Sequence, residues 1–97
     1  MLYLHGGAWS VHLPFTYRRF VASLVAATGM RVLLVDYRLA PECAYPAATD
    51  DCLAVYRDFV QTTGRPPLAV AGDSAGGNLT LVTLMRARDE GLPLPTC

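Results

Sequence analysis

The sequence predicts an α/β layered fold in which three parallel strands alternate with three helices. Two observations carry this. Short, continuous apolar runs occur three times, and each is followed by a segment whose apolar residues recur at helical spacing. Continuous rather than alternating runs are the pattern of strands covered on both faces, as in a parallel sheet. The order β-α-β-α-β-α then implies right-handed crossovers within one layered domain.

The three runs are Met1–Leu4 (MLYL), Val32–Val35 (VLLV) and Leu68–Ala71 (LAVA). Residues 16–28 place Phe20, Val21, Leu24 and Val25 on one stripe, with Thr16 as N-cap and Gly29 as the stop. Residues 46–62 open on Pro46, carry Asp50 and Asp51 early, and align Cys52, Val55, Tyr56 and Phe59. Residues 76–89 put Leu79, Val82 and Met85 at helical spacing and stop at Gly91, with prolines beyond. The first run has nothing ahead of it, and the chain stops soon after the third helix. Two apolar strands are thereby left with bare edges. Residues 1–97 therefore read as the interior of a larger domain.

Composition narrows the function classes. The chain is 53% hydrophobic, which favours a globular class. Eight basic residues balance eight acidic ones, so no basic stripe offers itself to nucleic acid. No run approaches the roughly 20 apolar residues needed to span a bilayer, and the N-terminus lacks a basic leader. A cytoplasmic protein is expected. Cys43, Cys52 and Cys97 form no C-x-x-C pair and read as free thiols rather than a disulfide framework. Neither their spacing nor a histidine cluster suggests a zinc site.

The chemistry concentrates at LAVAGDSAGGNLTL, Leu68–Leu81. Ser74 directly follows the third apolar run and directly precedes the third helix. So tight a turn strains the serine backbone and demands nearly side-chain-free neighbours two positions away, which Gly72 and Gly76 supply. The hydroxyl then stands above the sheet, and the Ala75 N–H lies at a helix N-terminus, where an oxyanion is favoured. The G-x-S-x-G spacing arises by chance in about 3 of 100 chains of this length. Its place between strand and helix makes it informative. HGGAW, His5–Trp9, follows the first strand in the same way, and its adjacent glycines let Gly7 and Ala8, with Gly6, turn N–H groups toward an oxyanion. Both loops leave C-terminal strand ends, where ligands bind in open α/β sheets.

HGGAW, DYRLAPE (Asp36–Glu42), YPAATDDC (Tyr45–Cys52) and GDSAGGNL (Gly72–Leu79) together resemble the α/β-hydrolases of the hormone-sensitive-lipase-like carboxylesterases, in the GDSAG branch. The resemblance runs in order over essentially the whole chain. It implies a cofactor-free serine esterase acting on short- to medium-chain acyl esters through an acyl-enzyme. Ser74 matches the nucleophile, and Gly6, Gly7 and Ala8 match the His-Gly-Gly-Gly oxyanion segment, with Ala8 replacing its third glycine. Ala75 matches the remaining donor. His5 belongs to the oxyanion loop by resemblance, and Asp36, Tyr37, Arg38 and Glu42 match a stretch that shapes the scaffold.

A nucleophilic serine needs a base, and α/β-hydrolases supply it in the order Ser, Asp or Glu, His. After Ser74 the chain has Asp89 and Glu90 but no histidine. His12 reads as a solvated loop histidine, and Asp73 as a structural residue of the turn. Two functions stay open: an internal piece of a serine esterase lacking the triad Asp and His, or a non-catalytic α/β module binding an acyl ligand or partner. The expected partners are a small-molecule ester and, through the strand edges, other copies of the chain. Acyl and alcohol preference is not legible.

Overall fold

In the computed structural model, which describes residues 1–97, the element order is β1 (Leu2–Leu4), α1 (Pro14–Thr28), β2 (Leu33–Val35), α2 (Ala47–Thr63), β3 (Val70–Gly72) and α3 (Ala75–Asp89). The strands form one parallel sheet in the order β2-β1-β3. Leu4 is level with Val35 on one side and with Gly72 on the other, so the loops after β1 and β3 leave neighbouring strands at the same height. That register brings the HGGAW and GDSAG segments together.

Only the central strand is covered on both faces. Leu2, Tyr3 and Leu4 are all buried, whereas Leu33 at the outer edge of β2 is 47% exposed and Ala71 and Gly72 are half-buried. The expectation of three fully covered strands is corrected accordingly: β2 has a partner on one side only. The third strand also lies two residues later than the apolar run at its start, because Leu68 is occupied otherwise. Its carbonyl accepts the N–H groups of Thr96 and Cys97, while Val70 N–H donates to the Cys97 carbonyl. The outer edge of β3 is thus partly paired by the tail, and the bare edge is that of β2.

The helices depart from the sequence reading at their ends and faces. α1 starts at Pro14 rather than after Thr16, with Leu13 at the cap position. Proline suits a first helical position because its φ is preset and it brings no unpaired N–H. α1 stops where Gly29 adopts φ 66° and donates its N–H to Val25 O, and α2 stops the same way at Gly64. The apolar stripe of α1 is not buried: Phe20 is 46% exposed and Val25 40%, though the Phe20 ring packs 5.4 Å from that of Tyr3. α2 buries Cys52, Leu53 and Tyr56, with Val55 and Phe59 against the same core. On α3 the buried line is Ala75, Leu79, Thr83 and Ala87, a strict four-residue repeat, while Met85 faces out at 55%. Small residues won that face because α3 lies close against both β1 and α2.

One core joins these layers, made of Leu2, Leu4, Val35, Tyr37, Cys52, Leu53, Tyr56, Val70, Leu79 and Ala87. Arg38 grips Asp51 through Nη2 (2.7 Å) and Nε (2.9 Å), and its own N–H donates to the same carboxylate, fixing the DYRLAPE segment on α2. These bonds hold the Asp51 carboxyl below its usual range. Cys43, Cys52 and Cys97 are free thiols. No helix is long and apolar enough to cross a membrane.

Candidate active site

The turn between β3 and α3 is as tight as the sequence requires. Ser74 has φ 51° and ψ −119°, a conformation that side chains other than glycine's seldom adopt. The surrounding glycines are sterically obligatory. A Cβ on Gly76 would lie 1.9 Å from Leu4 O, and one on Gly72 would lie 2.4 Å from Gly76 O. The first turn of α3 therefore sits directly on the end of β1, and only a bare backbone fits between. Ser74 is exposed, and its hydroxyl neither caps α3 nor bonds to a histidine. Ala75 is the first residue of α3, so its N–H has no carbonyl one turn earlier in the helix to receive it.

The loop after β1 is wound by three consecutive residues of positive φ: Gly7 at 126°, Ala8 at 51° and Trp9 at 58°. Gly7 O accepts the N–H groups of both Ser10 and Val11, and a Cβ on Gly7 would strike Val11 O at 2.0 Å. Ala8 occupies a left-handed conformation that costs an alanine about 1 kcal/mol more than a glycine.

Asp73 binds the two loops into one unit. Its Oδ1 accepts the Tyr3 hydroxyl (2.9 Å) and the Gly6 N–H (3.0 Å), and its Oδ2 accepts the Tyr17 hydroxyl (2.8 Å). Tyr17 Oη in turn accepts the Gly6 N–H at 2.9 Å. Burial pushes the Asp73 carboxyl up, but the bonds from Tyr17, Tyr3 and Gly6 outweigh it and hold the group below its ordinary value. Burial, with the Asp73 bond second, raises the Tyr3 and Tyr17 hydroxyls. The Gly6 N–H, expected among the oxyanion donors, is thereby committed elsewhere. Gly7, Ala8 and Ala75 are the expected donors that carry no such commitment.

The His5 ring packs 5.3 Å from that of Tyr17. His5 is fully buried, sandwiched between the rings of Tyr37 (4.2 Å) and His12 (4.8 Å), and the Tyr37 hydroxyl donates to His5 O. His12 is not the solvated residue expected: it is half-buried, with Nδ1 3.3 Å from Asp36 Oδ1. His5, His12 and Asp36 each bring one nitrogen or oxygen atom to within 4.8 Å of the other two. The one sign of the Tyr3–Tyr17–Asp73 network in the sequence is a charged residue, Asp73, lodged between an apolar run and a tight turn.

All of residues 1–97 match a protein family described as the alpha/beta hydrolase fold. The chain belongs to that family. Among similar proteins, this α/β-hydrolase chain is 42% identical over 97 residues to the acetyl-hydrolase of Streptomyces hygroscopicus, covering 98% of this chain and 32% of that protein. The solved structure of EstE5-PMSF superposes with TM-score 0.87 at 45% identity, covering 97% of this chain and 32% of the other. A hormone-sensitive lipase from a metagenome library gives TM-score 0.87 at 42% identity, over 97% and 33%. The chain spans about a third of the length of the curated relatives it matches. The relatives include an acetyl-hydrolase and a carboxylesterase.

Proposed function

We propose that this chain is the part of a carboxylester hydrolase domain running from the oxyanion-loop strand through the nucleophile elbow and its helix, with Ser74 as nucleophile. The observation that carries the proposal is the strained φ of Ser74 at a strand-to-helix turn, locked by Asp73 to a loop rich in positive φ on the adjacent strand. Strain of this kind persists where function needs the side chain displayed. The esterase names of the similar proteins support the same reading.

In this mechanism Ser74 Oγ attacks the acyl carbon of an ester and its proton passes to a base. The carbonyl oxygen becomes an oxyanion that accepts N–H bonds from Ala75, Gly7 and Ala8. Collapse expels the alcohol and leaves an acyl-Ser74, which water hydrolyses to the free acid. Donors already fixed by the fold need no reorganisation as the charge develops. Short- to medium-chain esters are the proposed substrates, and no cofactor takes part. The free state of all three cysteines supports a cytoplasmic setting, where thiols stay reduced.

No histidine follows Ser74, and both His5 and His12 are engaged away from its hydroxyl. In another serine hydrolase, loss of the base lowers kcat by about 10⁶, nearly as much as loss of the whole triad. Acylation and deacylation both need that base. The 97-residue chain should therefore release nitrophenol from an activated short-chain p-nitrophenyl ester only slowly, and added imidazole should speed the release. Absorbance time courses on the chain and on Ser74→Ala test this: release above the protein-free background should vanish in the variant. Equal release from Ser74→Ala would overturn the reading and favour a non-catalytic binding module.

A further inference from the structure

His5, His12 and Asp36 gather beside the loop after β1, and ester hydrolysis makes no use of them. Each offers one ligand atom, and these atoms lie within 4.8 Å of one another. His5 Nδ1 is 2.7 Å from the Gly6 carbonyl, so that nitrogen carries the proton and donates it. This tautomer leaves a bare lone pair on Nε2, and Nε2 is buried with no partner in a residue that is 0% exposed. A buried acceptor without a donor is rare enough in proteins to call for a ligand.

The other two residues suit an ion better than they suit each other. His12 Nδ1 and Asp36 Oδ1 stand 3.3 Å apart, long for a charge-assisted bond of about 2.7–2.9 Å. The arginines that form ion pairs engage Asp51, Glu90, Asp50 and Asp89, leaving Asp36 free. Asp36 is also exposed, so its carboxylate is accessible from solvent.

The geometry points to a divalent transition-metal site made of His5, His12 and Asp36. Two imidazoles and one carboxylate select Zn²⁺ and similar ions over Ca²⁺ or Mg²⁺, which require oxygen ligands. One movement is needed. The His5 and His12 rings are parallel within 12°, and lone pairs lying in parallel stacked planes do not meet at one ion. His5 is held by Tyr37 and Gly6, so His12, half-buried on the loop before α1, is the ring that turns. The bound ion then links the loop after β1 to the end of β2 and fixes the segment that carries Gly7 and Ala8. This site stands independently of the ester-hydrolysis reading.

Titration of the whole chain with Zn²⁺ by calorimetry, and with Co²⁺ by visible absorption, tests the assignment. One equivalent should bind, and Zn²⁺ should raise the thermal midpoint. His12→Ala and Asp36→Asn, both at accessible positions that leave the core intact, should each weaken binding by about tenfold or more and abolish the midpoint shift. The double variant Cys43→Ser with Cys97→Ser should bind as the parent does, excluding thiolate ligation at the accessible cysteines. Absence of binding at millimolar ion, unchanged affinity in His12→Ala and Asp36→Asn, or loss of binding in the cysteine variant would each overturn the assignment.

Discussion

The carboxylate of Asp73 accepts the backbone N–H of Gly6 at 3.0 Å, across 67 residues of chain. Through this bond the residue beside the candidate nucleophile sets the position of the loop that faces it. The tyrosines add to it: Tyr3 from the central strand and Tyr17 from α1 close the remaining sites on the carboxylate. A Cβ on Gly6 would approach Asp73 Oδ2 to 2.4 Å, so loop and carboxylate are fitted to each other without slack.

Removing that carboxylate charge should loosen the loop. Asp73→Asn keeps the shape but weakens three charge-assisted bonds, and with the discount for its exposure the expected loss is about 1–2 kcal/mol at neutral pH. The folded pKa of Asp73 is depressed, so its contribution is present above the unfolded carboxylate pKa and is lost as pH falls through the folded value. Thermal midpoints measured across acid pH should show the parent falling toward the variant, the gap closing below about pH 4. A gap that stayed constant to low pH would show that the carboxylate charge is not what holds the loop.

Two adjacent glycines should respond in opposite ways. Gly76→Ala drives a methyl group to 1.9 Å from Leu4 O, so α3 must move off β1, at a cost of about 3 kcal/mol or more. At Gly77 the nearest atom to an added Cβ is Gly72 O at 3.5 Å, an ordinary contact, and the residue lies within α3. Gly77→Ala should leave stability unchanged or raise it by about 0.5–1 kcal/mol. Urea midpoints of the two variants against the parent decide the matter.

How much of this was legible follows from where the information sits in the chain. The strand-turn-helix around Ser74 is local, and the pattern of glycines there announced both the tight turn and its strain. Helix faces were harder. The helical spacing of Leu79, Val82 and Met85 predicts a stripe of which only Leu79 is buried; the buried line continues through Thr83 and Ala87, because close packing on β1 and α2 selects small side chains there. The commitment of the Gly6 N–H to Asp73 and Tyr17 was not legible at all, since it joins three segments distant in sequence. The surroundings of His12 are hidden in a similar way: Asp36, whose Oδ1 lies 3.3 Å from its Nδ1, follows β2, a strand distant in sequence.

Thiol reactivity should divide by burial. Burial, reinforced by the Asp51 charge, pushes the Cys52 thiol up to about 12, so thiolate is scarce and access is closed. Cys97 is exposed and Cys43 half-buried. A chromogenic disulfide reagent should therefore titrate Cys97 and Cys43 in the folded chain and Cys52 only after denaturation. Three rapid equivalents without denaturant would show that α2 is not docked on the sheet.

The bare edge of β2 should govern self-association. Leu33 is 47% exposed on a strand with one free side, while the tail partly pairs the edge of β3. Leu33→Lys places a charge on the open edge, the device by which natural sheets discourage edge-to-edge pairing. Light scattering across a concentration series should show the parent associating and the variant shifted toward monomer. Equal association of the two would move the contact to another surface.

The assignment of Ser74 as nucleophile is tested most directly by locating the acyl group itself. The chain is incubated with p-nitrophenyl acetate, with and without imidazole as an external base, then digested and its peptides weighed by mass spectrometry. The expected product is a single acetyl group on Ser74, formed faster as imidazole rises and absent from Ser74→Ala. Acetylation scattered over other residues with Ser74 unmodified, at every imidazole concentration, would contradict it.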